Sequence, residues 1–120
     1  MKRLFIQAKP FERHLKASGK DQEVLSEIES KILKNPKEGD LIKGTGGIRK
    51  LRVSDPHRGK GSRGGYRVLY LDLPEVDHTH LITIYSKDEK DDLTSDEKAA
   101  IKLLAEKIKG AANAKKKHSK

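Results

Sequence analysis

Lys50 and Arg52 stand two apart in the run IRKLRV, residues 48–53. In an extended strand, alternation turns Ile48, Lys50 and Arg52 to one face and Arg49, Leu51 and Val53 to the other. Two cations side by side repel each other, so the pattern suggests a partner anion, although a solvated strand face would show it too. Arg67 lies inside the apolar run YRVLYLDL, residues 66–73, between Tyr66 and Val68. A guanidinium stays charged at ordinary pH, so in that setting it needs a carboxylate such as Asp72, a rim position or a phosphate ligand. The segment GKGSRGG, residues 59–65, sets Lys60 and Arg63 among glycines. Its composition suits a backbone that closes on phosphates. It lacks the Gly-Lys-Ser/Thr ending and the following helix of a nucleotide-binding loop, so a basic loop on an RNA backbone is the better reading. Tyr85 and Lys87 follow in YSKDEKDDL, where a tyrosine can stack on a splayed base, donate to a phosphate, or simply fill the core. His78 and His80 are two apart with no third ligand in view, so no metal site is read. His57, in the basic loop, is at most a proton shuttle.

The charge distribution frames these residues. Of the net +9, residues 43–70 carry eight basic side chains against Asp55 alone, whereas residues 71–109 are net acidic. A folded surface with that field concentrates polyanions, and nucleic acid is the common one. Only 33% of the 120 residues are apolar and 38% are charged, which allows one domain with a small core. There is no cysteine, so disulfides and thiolate metal ligands are excluded. No run approaches a membrane span, and the start MKRLFIQAKPFERH has no apolar stretch of the signal-peptide kind. The expectation is a cytoplasmic protein that needs no cofactor.

The elements that must position these side chains read as follows. Residues 3–7 are a short strand. A first helix opens at Pro10, with Phe11 and Leu15 on one face, and Gly19 stops it. Residues 21–34 form a clearer helix on Val24, Leu25, Ile28 and Ile32, ended by Asn35-Pro36. Strands follow at 48–53, 66–73 and 79–85, the last two joined by a turn at Pro74–Asp77. Thr94 and Glu97 fit a capping box for a final helix with its stripe on Ile101, Leu104, Ala105 and Ile108. Gly110 is expected to close that helix, giving a domain at 1–110 and a basic, disordered tail at 111–120. The order is βααβββα, an α+β fold with a mostly antiparallel sheet.

Three segments in sequence, GTGGIRKLRV, GKGSRGGYRVLYLDL and LITIYSKDEKDDLTSDE, resemble the RelE superfamily, most of all its HigB-type branch. The resemblance spans roughly residues 1–108. It implies two helices on one side of a compact sheet and an RNA-binding concavity on the other. It also implies cleavage of mRNA in the ribosomal A site, arrest of translation, and neutralisation by a cognate antitoxin, a helix-turn-helix protein. Carried over by position, Lys50, Arg52, Arg67 and Lys87 take the catalytic places. Arg49, Lys60, Arg63, Tyr66 and Tyr85 are further RNA contacts. Where many relatives place a catalytic tyrosine beyond the last basic position, this chain has Leu93.

RNA supplies its own nucleophile, the 2′-hydroxyl beside the scissile phosphate. The protein must hold it in line, take its proton, neutralise the phosphorane and protonate the 5′-oxygen. Clustered cations serve the charge requirement without a metal, and a crowded lysine is a candidate base. The alternative is a non-catalytic RNA- or ribosome-binding protein, or a toxin homologue acting chiefly with its antitoxin in transcriptional autoregulation.

Overall fold

Phe11 and Leu15 are one turn apart on helix α1 (Lys9–Ser18), and Val24, Ile28 and Ile32 recur at the same spacing on α2 (Asp21–Lys34); all five are buried. That stripe needs an apolar face to cover, and a five-stranded sheet supplies it. The computed structural model describes residues 3–18, 21–54, 65–87 and 92–118. Within them the strands are β1 (Leu4–Gln7), β2 (Asp40–Leu41), β3 (Arg49–Val53), β4 (Tyr66–Leu73) and β5 (His78–Ser86), in the order β1-β5-β4-β3-β2. β1 joins β5 in parallel and every other pairing is antiparallel. The last helix, α3 (Ser95–His118), packs on the opposite face.

Central strand β4 is apolar on both faces because both are covered. Val68 and Tyr70 join Leu51, Val53, Leu81 and Ile84 beneath α1 and α2. Leu69, Leu71 and Leu73 join Ile48, Ile82 and Ala105 beneath α3. Each fully buried aliphatic side chain contributes about 1.5–3 kcal/mol relative to exposure, so two thin cores replace one thick one. A β-bulge interrupts β5: Leu69 pairs with Thr83 but Tyr70 pairs with Leu81, leaving Ile82 as the extra residue. Strict alternation from Ile82 would turn Ile84 to the α3 face and Tyr85 away from it. The bulge reverses this, so Ile84 sits in the α1–α2 cluster and Tyr85 in the α3 cluster.

Two local devices set the approach to β3. In the GTGG turn, Gly44, Gly46 and Gly47 all have positive φ, a region L side chains rarely enter; the buried Thr45 donates its hydroxyl to the Ile42 carbonyl at 2.7 Å. Gly39 lies so close to β3 and β4 that an added Cβ would meet the Lys50 carbonyl and the Tyr70 ring at 2.9 Å. The Tyr70 hydroxyl accepts from the Gly39 N–H at 3.1 Å and donates to the Pro36 carbonyl at 2.7 Å. Burial raises the Tyr70 phenol above its ordinary pKa.

The structure adds one element, moves one boundary and removes one alternative. β2 was not read, being two exposed residues without periodicity. α3 does not close at Gly110 but continues to His118. Gly110 keeps a helical backbone, alanines follow it, and Ala112 packs against the α3 cluster. Asp72 does not pair with Arg67; it meets Arg3 and accepts from the Thr79 hydroxyl at 2.8 Å. The capping box forms as expected, with Glu97 N–H donating to Thr94 Oγ1 at 3.1 Å and Thr94 N–H to Glu97 Oε1 at 2.9 Å.

Candidate nucleic-acid interface

The sheet face under α3 changes character along its length. On β4 the inward positions run Leu73, Leu71, Leu69 and then Arg67; on β3 and the residue before it they run Ile48, Lys50 and Arg52. Directly paired residues share a face, so Arg52, Arg67 and Tyr85 form one row across β3, β4 and β5, with Lys50 and Leu69 in the next row. Two arginines directly opposite are a destabilising pairing. A fold that keeps them together has a reason to hold positive charge at that place.

The cations differ in access. Arg67 is only 3% exposed, and its guanidinium reaches the Tyr66 carbonyl at 3.4 Å. Of the settings the sequence left open, this burial rules out an open rim position, and Arg67 stands as a fixed positive charge within the sheet face. Lys50 keeps 15% of its side chain exposed and its ammonium meets Asp92 at 3.3 Å. Arg52 is more open and meets Asp40, the diagonal neighbour on β2, at 2.9 Å. The strand end is braced from α2: Lys31 donates to the Arg52 carbonyl at 3.1 Å, and the Ser54 hydroxyl meets Glu27 at 3.1 Å. Lys87 is exposed at the same end of the sheet, where its N–H donates to the Gly65 carbonyl at 3.1 Å.

Of the residues singled out, Lys50, Arg52, Arg67 and Tyr85 come together, with Lys87 beside them. Tyr85 is buried in the α3 cluster rather than presented for base stacking. Arg49 and Tyr66 are on the other face. Arg49 donates to the carbonyls of Gly39 and Lys37 at 2.8 and 3.5 Å, tying down the chain after α2. Tyr66 packs against the α1–α2 cluster. Lys60, Arg63 and His57 lie outside the described residues. Asp40 and Asp92 were missed. The first depends on an unread strand, and the second is brought to Lys50 by the fold alone, from 42 positions away. Leu93 packs into the α3 cluster and anchors Asp92 beside it.

His78 and His80 lie elsewhere on that face, in a groove of about 320 Å³ lined also by Ile6, Lys107, Ile108, Ala111 and Ala112. Their rings meet edge to face at 6.1 Å. Burial, and then the neighbouring His78, hold His80 below the ordinary histidine pKa. Among the described residues no three acidic or histidine side chains gather to hold a metal, and no helix is long and apolar enough to cross a membrane.

The chain is similar to solved toxin structures from E. coli. It covers 94% of a chain in the intact RelBE toxin–antitoxin complex over 69% of its own length, at 16% identity and a TM-score of 0.50. A double arginine-to-alanine mutant of RelE in the free state is 17% identical, with 76% of this chain and 90% of that one covered and a TM-score of 0.52. The isolated RelE toxin is 16% identical, with 86% and 99% covered and a TM-score of 0.51. At such identities the likeness concerns the fold. The family model described as the RelE toxin of the RelE/RelB toxin–antitoxin system matches residues 2–118, nearly the whole sequence. The chain therefore belongs to the RelE toxin family and is the toxin type of a type II toxin–antitoxin pair.

Proposed function

We propose that this protein is an endoribonuclease of the HigB-type branch that cuts mRNA in the ribosomal A site of the bacterial cytoplasm. A cognate helix-turn-helix antitoxin would hold it inactive. The observation that carries the reading is the row Arg52–Arg67–Tyr85 with Lys50 beside it, a concentration of fixed positive charge on a sheet face. In the reaction the 2′-oxygen forms a bond to phosphorus as the P–O5′ bond breaks, leaving a 2′,3′-cyclic phosphate and a 5′-hydroxyl. The 2′-hydroxyl proton passes to a base, for which the candidate is Lys50 in its neutral amine form, and the 5′-oxygen takes up a proton. Arg52 suits paired hydrogen bonds to the phosphate, Lys87 the outer end of the strand, and Arg67 a standing field that favours the phosphorane. With Leu93 and Tyr85 both in the apolar cluster, charge neutralisation carries more of the rate than base stacking. The ribosome supplies the in-line strand geometry that a small domain cannot impose.

Production of the protein without its antitoxin is expected to stop bacterial growth, with mRNA cut inside translated regions. Normal growth and intact messages at full expression would refute the proposal.

A further inference from the structure

Lys50 and Arg52 are not bare: each is met by a carboxylate from a different part of the chain. Asp40 comes from the edge strand β2, paired opposite Lys50, and its carboxylate is 2.9 Å from the Arg52 guanidinium. Asp92 comes from the segment before α3, 3.3 Å from the Lys50 ammonium. Both aspartates are largely exposed, at 71% and 84% of their side chains, while Lys50 is mostly enclosed. An exposed pair of this kind contributes only about 0.2–1 kcal/mol, so either carboxylate can swing into water at little cost. Their backbones, however, are held. Asp40 is registered by β2, and Asp92 stands between Lys50 and Leu93, which is packed in the α3 cluster and followed by the capped start of α3.

From this geometry we propose that Asp40 and Asp92 are internal competitors of the RNA phosphates, and that they set the preference for a ribosome-held strand over free RNA. The proposal rests on the reading of this face as the RNA site. A tethered carboxylate acts at a high effective concentration, of millimolar order for short connections. Dilute free RNA must displace both aspartates with no ribosomal contact to offset the exchange. A strand docked on the ribosome arrives with its position already fixed, and displaces them. The same pairing relieves cation–cation repulsion in the RNA-free protein. The aspartates are thus affinity-setting residues rather than participants in bond cleavage.

The test uses the full chain and two readouts. The first is binding of a single-stranded RNA oligonucleotide at fixed salt. The second is single-turnover cleavage on mRNA-programmed ribosomes, resolved into KM and kcat. Asp40→Asn and Asp92→Asn should each tighten oligonucleotide binding by up to about fivefold, and together by about tenfold. The KM on ribosomes should fall less and kcat should stay the same, so the preference for ribosomes narrows. Asp92→Glu, which keeps the charge, should bind like the parent. Glu75→Gln, in the exposed turn between β4 and β5, removes the same charge far from the row and should change neither readout. Unchanged or weaker oligonucleotide binding by the Asn variants overturns the proposal, as does equal tightening by Glu75→Gln. A fall in kcat with Asp92→Asn also overturns it, by placing Asp92 in the chemistry. Failure of the parent to cut on ribosomes would sink the nuclease reading instead, while the oligonucleotide measurement still decides the competition.

Discussion

A lysine and an arginine on neighbouring strands of this face carry the same charge but different burdens. Lys50 has its ammonium at an exposed carboxylate, while its stem is mostly enclosed. Lys50→Met, which keeps the stem and removes the amine, is therefore expected to lower single-turnover cleavage on saturating ribosomes by at least about 100-fold, with a melting temperature close to the parent's. A near-parental rate would remove Lys50 from the chemistry. Arg67 is buried in the central strand, so its loss leaves both a hole and an altered field. Arg67→Ala should cost about 2–4 kcal/mol of stability, enough to obscure any kinetic effect. Arg67→Met keeps much of the stem volume and removes only the charge, which separates the two contributions. A stable Met variant that cleaves at the parental rate would leave Arg67 as a structural residue only. The sequence marked both positions, because a cation in a strand is visible in alternation. Burial was not visible, since it depends on what the neighbouring segments cover.

Elements with a clear period were legible, and devices that break a period were not. α2 and β4 fall on the expected residues, because Val24, Ile28 and Ile32 repeat every turn and an eight-residue apolar run has no other use. The bulge at Ile82 has no sequence signal, yet it decides that Tyr85 joins the Arg67 face. The end of α3 was misread for a related reason: glycine is a common stop, but only when the next turn lacks packing. At Gly110 an added Cβ meets nothing within 4 Å and the backbone is helical. Gly110→Ala should therefore raise stability by about 0.5–1 kcal/mol and the melting temperature by about 2–5 °C. No change would mean that the helix frays there. Under the same stretch of α3, His80 offers a pH readout. Its folded pKa is lowered from about 6.5, so the unfolded chain takes up the proton first as pH falls. Stability is then lost progressively below about pH 6.5 and towards the folded value. The melting temperature should decline from about pH 7 to 5, and His80→Gln should flatten that decline; an unaltered slope would assign it to other groups.

At the scale of the whole molecule, the charge asymmetry read from the sequence becomes an arrangement in space. Residues 43–70 hold the basic excess, and the fold uses them unequally. Arg49 is spent on holding the chain after α2, Arg67 is buried, and Lys50 and Arg52 are partly neutralised. Lys60 and Arg63 stand, by sequence, in the segment joining β3 to β4, the two strands that carry the row, and are the candidates for long-range attraction to RNA. Each phosphate contact on a single strand adds about 0.7 to the slope of log affinity against log salt. Lys60→Ala with Arg63→Ala should accordingly weaken ribosome and oligonucleotide binding at low salt and reduce that slope by about 1.4, with little effect on kcat. Lys34→Ala, on the exposed side of α2, removes a positive charge from the far face and should leave the slope unchanged. If the double variant keeps the parental slope, that loop does not touch the backbone, and the attraction must come from the sheet row itself. If Lys34→Ala lowers the slope as well, RNA contacts extend around the molecule, and the sheet face loses its claim to be the binding surface.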